Sequence, residues 1–152
     1  MAPMTLQEVS DRIEIDDLLT RYATAVDSKD WDLYATCFTS DARIDYTAAG
    51  GIKGTLPEVR RWLEEVLASF PMTQHLVTNR MVRIDGDAAT CSSYLFNPMG
   101  VRDGDGVMVF LEGGYYRDRL VRTPDGWRIA ERVEEPTFST RRNRVMLRAV
   151  EV

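Results

Sequence analysis

The residues of this sequence with the clearest chemical potential are its only histidine, His75, and Asp27. A histidine can change its charge near neutral pH. A carboxylate that accepts a hydrogen bond from one ring nitrogen fixes the tautomer and raises the basicity of the other nitrogen. Such a pair could remove a proton from carbon. Each residue also has a simpler interpretation, because a lone histidine is often a surface or core residue and an aspartate after a helix often caps the next helix.

Two tyrosines, Tyr22 and Tyr46, could assist such a reaction as hydrogen-bond donors. Tyr22 lies on the apolar stripe of a predicted helix, and Tyr46 lies in a predicted short strand. Both could simply be core residues, because tyrosine rings bury well and their hydroxyls find partners. If the hydroxyls reach a pocket, they could donate to an enolate or to a leaving oxygen as negative charge develops there.

The last predicted strand carries one carboxylate on an apolar face. Alternation places Glu131 beside Trp127 and Ile129, and it places Ala130 and Arg132 on the opposite face. Glu131 is therefore predicted to face inward. A buried glutamate is costly unless it is protonated or paired, and pairing with a nearby arginine is the alternative to a role in a site.

The remaining reactive side chains form no usual cofactor or metal motif. One histidine and two isolated cysteines, Cys37 and Cys91, make no familiar ligand set. The glycine-rich segment 49–54 matches neither a phosphate-binding nor a dinucleotide-binding loop. We therefore expect no metal, no cofactor and two free, buried thiols.

The elements that must position these residues follow from hydrophobic periodicity. Apolar residues at three- and four-residue steps predict helices over residues 5–26 and 57–70, and Pro57 suits a first helical turn. Capping by Ser28 or Asp30 predicts a short helix over residues 31–38.

The spacing then changes to the period of two that is typical of strands. A short strand is predicted over residues 42–47, and four long antiparallel strands over residues 73–84, 88–101, 107–122 and 127–139. Helices followed by a strand meander predict an α+β fold, a cone-shaped barrel of a strongly curved, mostly antiparallel sheet wrapped around the N-terminal helices. A site would lie inside the cone.

Length and charge restrict the possible partners. The 152 residues suit one domain, 1–152, and a net charge of -5 without long runs of one sign argues against nucleic acid as a partner. The basic cluster of Arg141, Arg142 and Arg144 is interpreted as surface. No apolar stretch approaches the roughly 18 to 20 residues of a membrane span, and no signal peptide is evident, so we expect a cytoplasmic protein without membrane contact.

This layout resembles the SnoaL-like branch of the nuclear-transport-factor-two-like superfamily. The resemblance runs from segment 14–46 (EIDDLLTRYATAVDSKDWDLYATCFTSDARIDY) through the helix at Pro57 to segment 113–135 (GGYYRDRLVRTPDGWRIAERVEE). It is similar to the bile-acid dehydratases, scytalone dehydratase and the hexachlorocyclohexane dehydrochlorinases, which are cofactor-free eliminating enzymes. In those families a helix-end aspartate and a strand-start histidine abstract the proton, matching Asp27 in AVDSKDW and His75 in TQHLVTN.

The resemblance implies a cofactor-independent lyase of the dehydratase type that acts on a hydrophobic small molecule. Tyr22 and Tyr46 match tyrosines of the bile-acid dehydratases, whereas the second histidine of scytalone dehydratase has no counterpart. An isomerase or cyclase with the same dyad, or a non-catalytic ligand-binding domain, is the alternative. A homo-oligomer, dimer or trimer, joined through the open sheet face is also implied. The candidate substrate contacts are Glu131, Trp31, Tyr94 and Asn97.

Overall fold

The helices of the protein precede its four long strands. In the computed structural model, which describes residues 3–141, they are α1 (Leu6–Ser28), α2 (Trp31–Thr36) and α3 (Leu56–Leu67), with a 3-10 turn at Thr47–Ala49. The strands are β1 (Phe38–Asp45), β2 (Lys53–Thr55), β3 (Met72–Thr73), β4 (Leu76–Asp85), β5 (Ala88–Asp103), β6 (Gly106–Thr123) and β7 (Gly126–Ser139). The predicted helices and the four long strands are confirmed, although the first of these strands begins at Leu76, just after His75, and residues 72–73 form a separate strand. The short strand begins earlier than predicted.

Side-chain caps set the helix ends around the candidate site. α1 begins after Thr5, whose hydroxyl caps the first turn. It ends where Lys29 adopts a left-handed conformation, with φ 57°. α2 follows at once, because the carboxylate of Asp30 accepts a hydrogen bond from the backbone N–H of Leu33 at 2.9 Å. Asp30 is therefore the cap of the second helix, and Asp27, in the last turn of α1, makes its contacts elsewhere.

The sheet has seven strands and bends around α1. The strand order is β2-β1-β7-β6-β5-β3, with β4 also paired to β5; β1 runs parallel to β7 and the other pairs are antiparallel. α1 contacts both β4 and β7, which lie on opposite sides of the β5–β6 pair, so the sheet must curve around the helix. Within residues 3–141 the sheet does not close on itself. The predicted α+β cone is confirmed, as an open form.

The hydrophobic core lies between α1 and the concave face of the sheet. Ile15, Leu18 and Leu19 of α1 are buried together with Leu120 of β6 and Ile129 of β7. Toward the start of β6 and the end of β7, this close packing gives way to a cavity.

One extra residue in β7 changes which of its side chains face the interior. Ala130 lacks a partner on β6, because the register shifts between Ile129 and Glu131. A bulge of this kind moves the alternation by one residue. The prediction that Glu131 faces inward and Arg132 outward is therefore wrong. Glu131 lies on the outer surface, paired with Arg119 at 2.8 Å, and Arg132 is fully buried.

Other expectations concern membrane contact, thiols and the basic cluster. No helix within residues 3–141 is long and apolar enough to cross a membrane. Cys37 and Cys91 are buried free thiols, as predicted. Arg141 is exposed, as predicted, whereas Arg142 and Arg144 lie outside the described residues.

Candidate active site

A cavity of 1010 Å³ opens between the helices and the inner face of the sheet. Its size suits a drug-sized small molecule. Much of the wall is apolar, formed by Val26, Trp62, Leu63, Val66, Leu67, Phe70, Met99, Phe110 and Phe138. The polar side chains of interest on the wall are Tyr22, Tyr46, His75, Asn97, Glu112, Tyr116 and Glu134.

His75 lines this cavity, and Asp27 lies directly behind it. Nδ1 of His75 is 2.6 Å from Oδ1 of Asp27, and the backbone N–H of His75 donates to Oδ2 at 2.8 Å. The hydroxyl of Thr73 donates to Oδ1 at 2.9 Å. Burial alone would raise the pKa of Asp27, but the hydrogen bonds and charge of His75, together with Thr73, outweigh it and lower the pKa. The carboxylate therefore stays ionised at neutral pH.

The second ring nitrogen of His75 faces Asn97. Nδ2 of Asn97 lies 3.1 Å from Nε2 of His75, and Oδ1 of Asn97 accepts a hydrogen bond from the backbone N–H of Gln74 at 3.3 Å. With Oδ1 turned toward Gln74, the NH₂ group of Asn97 points at Nε2, which assigns the acceptor role to Nε2 and the proton, donated to Asp27, to Nδ1. The neutral ring thus holds an unprotonated nitrogen on the cavity side.

Three tyrosine hydroxyls form a chain elsewhere on the wall. The hydroxyl of Tyr22 lies 3.0 Å from that of Tyr46 and 3.4 Å from that of Tyr116. Burial raises the pKa of all three hydroxyls above the ordinary tyrosine value, so they remain protonated hydrogen-bond donors. The structure brings the two predicted tyrosines together. Tyr116 was not predicted, although alternation from Leu120 along β6 would have placed it inward.

Arg132 lies against two of these rings. Its guanidinium carbon is 3.9 Å from the ring centre of Tyr22 and 4.1 Å from that of Tyr116. Nε and Nη2 of Arg132 each donate to Asp118 at 2.7 Å, and neither side chain of this pair has exposed surface. Burial lowers the pKa of Arg132, but the charge and hydrogen bonds of Asp118 outweigh the effect of burial and hold the pKa of Arg132 above its ordinary value. A permanent positive charge therefore favours negative charge that develops near the tyrosines.

Glu134 is the carboxylate that the β7 bulge turns toward the cavity in place of Glu131. Burial raises its pKa to about 7; the charge of Arg132 opposes this rise, and that of Glu112 adds to it. The carboxyl group is therefore partly protonated near neutral pH. Alternation alone could not have found it, because the bulge lies between Glu131 and Glu134.

Two predicted substrate contacts lie outside the cavity. Trp31 packs in the core, with its ring centre 5.9 Å from that of Tyr34. Tyr94 is 49% exposed on the outer face of β5, because it is an odd number of residues from the inward-facing Asn97 and alternation turns it away. Its ring contacts Tyr115 instead. The prediction that Trp31 and Tyr94 line the pocket is wrong.

The titratable groups of the cavity are spread over several elements. Among residues 3–141, no three His, Cys, Asp or Glu side chains lie close enough together to hold a metal ion. The groups that are present suit proton transfer: an oriented histidine, tyrosine donors above a buried cation, and a carboxyl group with a raised pKa.

Comparison with known families agrees with this architecture. Residues 7–133 match the family model of the SnoaL-like domain. The chain belongs to the SnoaL-like family. This confirms the resemblance found in the sequence. The SnoaL-like chain is also 47% identical over 135 residues to uncharacterized proteins of Mycobacterium tuberculosis and Mycobacterium bovis, covering 89% of this chain and 91% of theirs.

Solved structures share the fold of this SnoaL-like protein. A protein of Kribbella flavida is 30% identical and superimposes with a TM-score of 0.78 over 86% of this chain and 93% of its own. A candidate scytalone dehydratase of Novosphingobium aromaticivorans, 20% identical, has a TM-score of 0.79 and covers 90% and 91% of the two chains. A hexachlorocyclohexane dehydrochlorinase, 19% identical, has a TM-score of 0.77 with coverage of 89% and 90%. At these identities the last two show the fold alone.

Proposed function

We propose that this SnoaL-like protein is a cofactor-independent lyase of the dehydratase type that acts on a hydrophobic small molecule. The observation that carries the proposal is the contact of 2.6 Å between Asp27 and His75 at the cavity wall. An aspartate in this position fixes the tautomer of the histidine and stabilises the imidazolium that forms when Nε2 accepts a proton. The candidate scytalone dehydratase and the hexachlorocyclohexane dehydrochlorinase that share the fold add support.

The proposed reaction begins at a carbon next to a carbonyl group, where the C–H bond is acidic. Nε2 of His75 takes the proton, the C–H electron pair forms a carbon–carbon double bond, and the neighbouring C–O bond breaks. Asn97 releases Nε2 when substrate binds, and its amide can donate to the substrate carbonyl. Tyr22 and Tyr46 donate hydrogen bonds to the oxygen on which negative charge develops.

The apolar part of the cavity favours a substrate with a ring or alkyl body. Trp62, Phe70, Phe110 and Phe138 supply aromatic surface on several sides of the space. Aromatic side chains contribute large contact areas and prefer stacked or edge-to-face neighbours. A hydroxylated cyclic ketone or an aryl-substituted β-hydroxyketone combines such a body with the reacting carbonyl and hydroxyl groups.

The test is a screen of β-hydroxyketones with aromatic or alicyclic bodies, in which mass spectrometry detects the loss of one water. His75→Ala and Asp27→Asn should each lower turnover by about 10²–10⁴-fold, the usual contribution of a general base. Asp32→Asn is the control, because Asp32 is an exposed acid paired with Arg60. Undiminished turnover in both site variants would contradict the proposal.

An isomerase or cyclase would use the same dyad, and the screen separates these activities. A product that has the mass of the substrate in ordinary water, and that takes up deuterium when the reaction is run in D₂O, indicates proton return to another carbon. Saturable binding of an apolar ligand without any product indicates a binding domain.

We also propose self-association through the outer face of the sheet. Leu76, Tyr94 and Phe96 are exposed apolar side chains on the adjacent strands β4 and β5, and Val133 is exposed farther along the sheet on β7. Grouped apolar side chains on an exposed face are typical of interaction surfaces. Sedimentation equilibrium should show a dimer or trimer that Tyr94→Lys dissociates, and a monomer at every concentration would contradict the proposal.

A further inference from the structure

The mechanism above leaves Glu134 without a role, although the fold places it on the cavity wall. It follows the bulge at Ala130, after which Arg132 and Glu134 lie on the inner face of β7. Glu134 lies directly opposite Tyr116 in the β6–β7 register, so its carboxyl group is next to the tyrosine chain.

The carboxyl group of Glu134 faces the cavity without a fixed partner. Among residues 3–141 its side chain forms no hydrogen bond or ion pair, and the groups that act on it electrostatically are Arg132 and Glu112. The neighbouring acid in sequence is a contrast, because Glu135 points outward and is paired with Arg117 at 2.8 Å. A largely buried carboxyl group on a cavity wall that forms no hydrogen bond or ion pair within residues 3–141 is available to a ligand.

We propose that Glu134 is the general acid of the site, which protonates the leaving oxygen as the C–O bond breaks. This inference rests on the proposed dehydratase function. Hydroxide is a poor leaving group, so a proton donor at this oxygen should contribute as much as the base at carbon. The tyrosines supply hydrogen bonds to the same oxygen and keep their own protons.

The surroundings divide the two roles between tyrosine and glutamate. The pKa of each hydroxyl in Tyr22, Tyr46 and Tyr116 is raised by burial, so transferring a proton from any of them is unfavourable. The pKa of Glu134, raised by burial to about 7, suits proton donation near neutrality.

The proton balance of the cycle is complete with these two residues. Nε2 of His75 gains the proton from carbon, the C–H electron pair forms the double bond, and the C–O electron pair stays on oxygen. That oxygen takes the proton of Glu134 and leaves as water. The site is then imidazolium and carboxylate, and one proton lost from His75 and one gained by Glu134 through solvent restore the starting state.

Other ionisable groups on the cavity wall will shape any pH dependence. They come from every element around Glu134: Tyr22 of α1, Tyr46 after β1, His75 before β4, Glu112 and Tyr116 of β6, Arg132 of β7, and Arg141 after it. Each experiment therefore compares Glu134→Gln with Glu135→Gln, which removes a carboxylate one residue away on the outer face.

The first experiment measures the protonation of Glu134 directly, without any substrate. NMR on protein with isotopically labelled glutamate carboxyl carbons should show one signal that titrates near pH 7. This signal should be absent in Glu134→Gln and retained in Glu135→Gln. If the Glu134 signal titrates in the ordinary range of glutamate, the inference is overturned.

The second experiment varies the leaving group. The first probe is the aldol adduct of benzaldehyde and acetone, a β-hydroxyketone that gives benzylideneacetone and water. The second is its para-nitrophenyl ether, whose leaving phenolate needs no proton. Glu134→Gln should lower turnover of the first probe by about 10²-fold or more and that of the second by less than about threefold.

The outcomes separate this inference from the proposed function. His75→Ala should lose activity toward both probes, because the base is needed in each reaction. Equal losses on both probes in Glu134→Gln, or no loss on the β-hydroxyketone, would overturn the role of Glu134 while leaving the dyad intact. Undiminished activity in His75→Ala, or no turnover of either probe by the wild type, contradicts the dehydratase function itself, and the NMR titration still reports whether Glu134 holds its proton.

Discussion

Two aspartates hold a basic side chain beside the same cavity, but their surroundings differ. In the first pair, the side chain of Asp27 is 25% exposed and that of His75 is 8% exposed. In the second pair, Asp118 and Arg132 have no exposed side-chain surface. A ring nitrogen at the cavity wall can exchange a proton with a substrate. A guanidinium enclosed by tyrosine rings can only position those rings and supply a constant field. The first pair should therefore matter mainly for activity and the second mainly for folding.

The largest effect is expected on activity when the first pair is changed. Asp27→Asn removes the charge that stabilises the imidazolium and disturbs the tautomer, so kcat/KM should fall by about 10²–10⁴-fold. Because Asp27 also accepts three hydrogen bonds, the free energy of unfolding should fall by about 1–2 kcal/mol. Steady-state kinetics and urea unfolding measure the two quantities. A kcat/KM close to that of wild type would show that Asp27 does not assist His75.

Changing the second pair, Asp118 and Arg132, should cost a comparable free energy, but in the stability of the fold instead of in activity. Asp118→Asn leaves the buried charge of Arg132 uncompensated, which typically costs about 3–5 kcal/mol. Urea unfolding should show this loss. The double variant Asp118→Leu with Arg132→Met should recover most of it, because an apolar pair leaves no buried charge. If Asp118→Asn unfolds at the wild-type urea concentration, the pair does not stabilise the fold.

The contrast between these pairs shows what sequence could and could not predict. The dyad was expected because the predicted helix end near Asp27, the predicted strand start near His75 and the family resemblance all agreed. The Asp118–Arg132 pair was missed because one inserted residue, Ala130, exchanged the faces of β7, and neither glycine nor proline marks that bulge. Periodicity predicts elements well, but a single unmarked bulge exchanges the faces of the side chains that follow it until the next irregularity in the strand.

The same bulge misled the interpretation of Glu131, whereas Trp31 and Tyr94 illustrate a different limit. Aromatic side chains are typical both of pockets and of ordinary packing, and only the tertiary structure decides which one applies. Asn97 was predicted as a pocket residue, and it lines the cavity. Its contact with His75 could not be predicted, because that contact depends on the pairing of β4 with β5.

A smaller effect, on stability alone, should distinguish Glu134 from Asp27. Their contributions to the free energy of unfolding should change with pH in opposite directions. The pKa of Glu134 is raised from 4.5 to about 7, so the folded state binds more protons in that window and the free energy of unfolding falls as pH rises through it. The pKa of Asp27 is lowered from 3.8, so its contribution is present above that value and is lost as pH falls through the folded pKa.

Urea unfolding of Glu134→Gln tests the first of these signs. At about pH 8 the variant should be more stable than wild type by about 1–3 kcal/mol, and at about pH 5 the difference should be much smaller. Groups that titrate in both proteins cancel in this difference. A gain of stability that does not change with pH would assign the effect to packing instead of ionisation.

The smallest effect is expected for Glu131, the acid first assigned to the pocket. Its pairing with Arg119 is about half exposed on the outer face, so Glu131→Gln should change the free energy of unfolding by less than about 1 kcal/mol and leave kcat/KM unchanged. This near-neutral result is informative because Glu131 and Glu134 lie in the same strand, three residues apart. If β7 had no bulge at Ala130, Glu131 would face the cavity and Glu134 would face outward. Activity would then be lost in Glu131→Gln and retained in Glu134→Gln. Measuring both variants with one substrate therefore tests, in solution, on which side of the sheet each carboxylate lies.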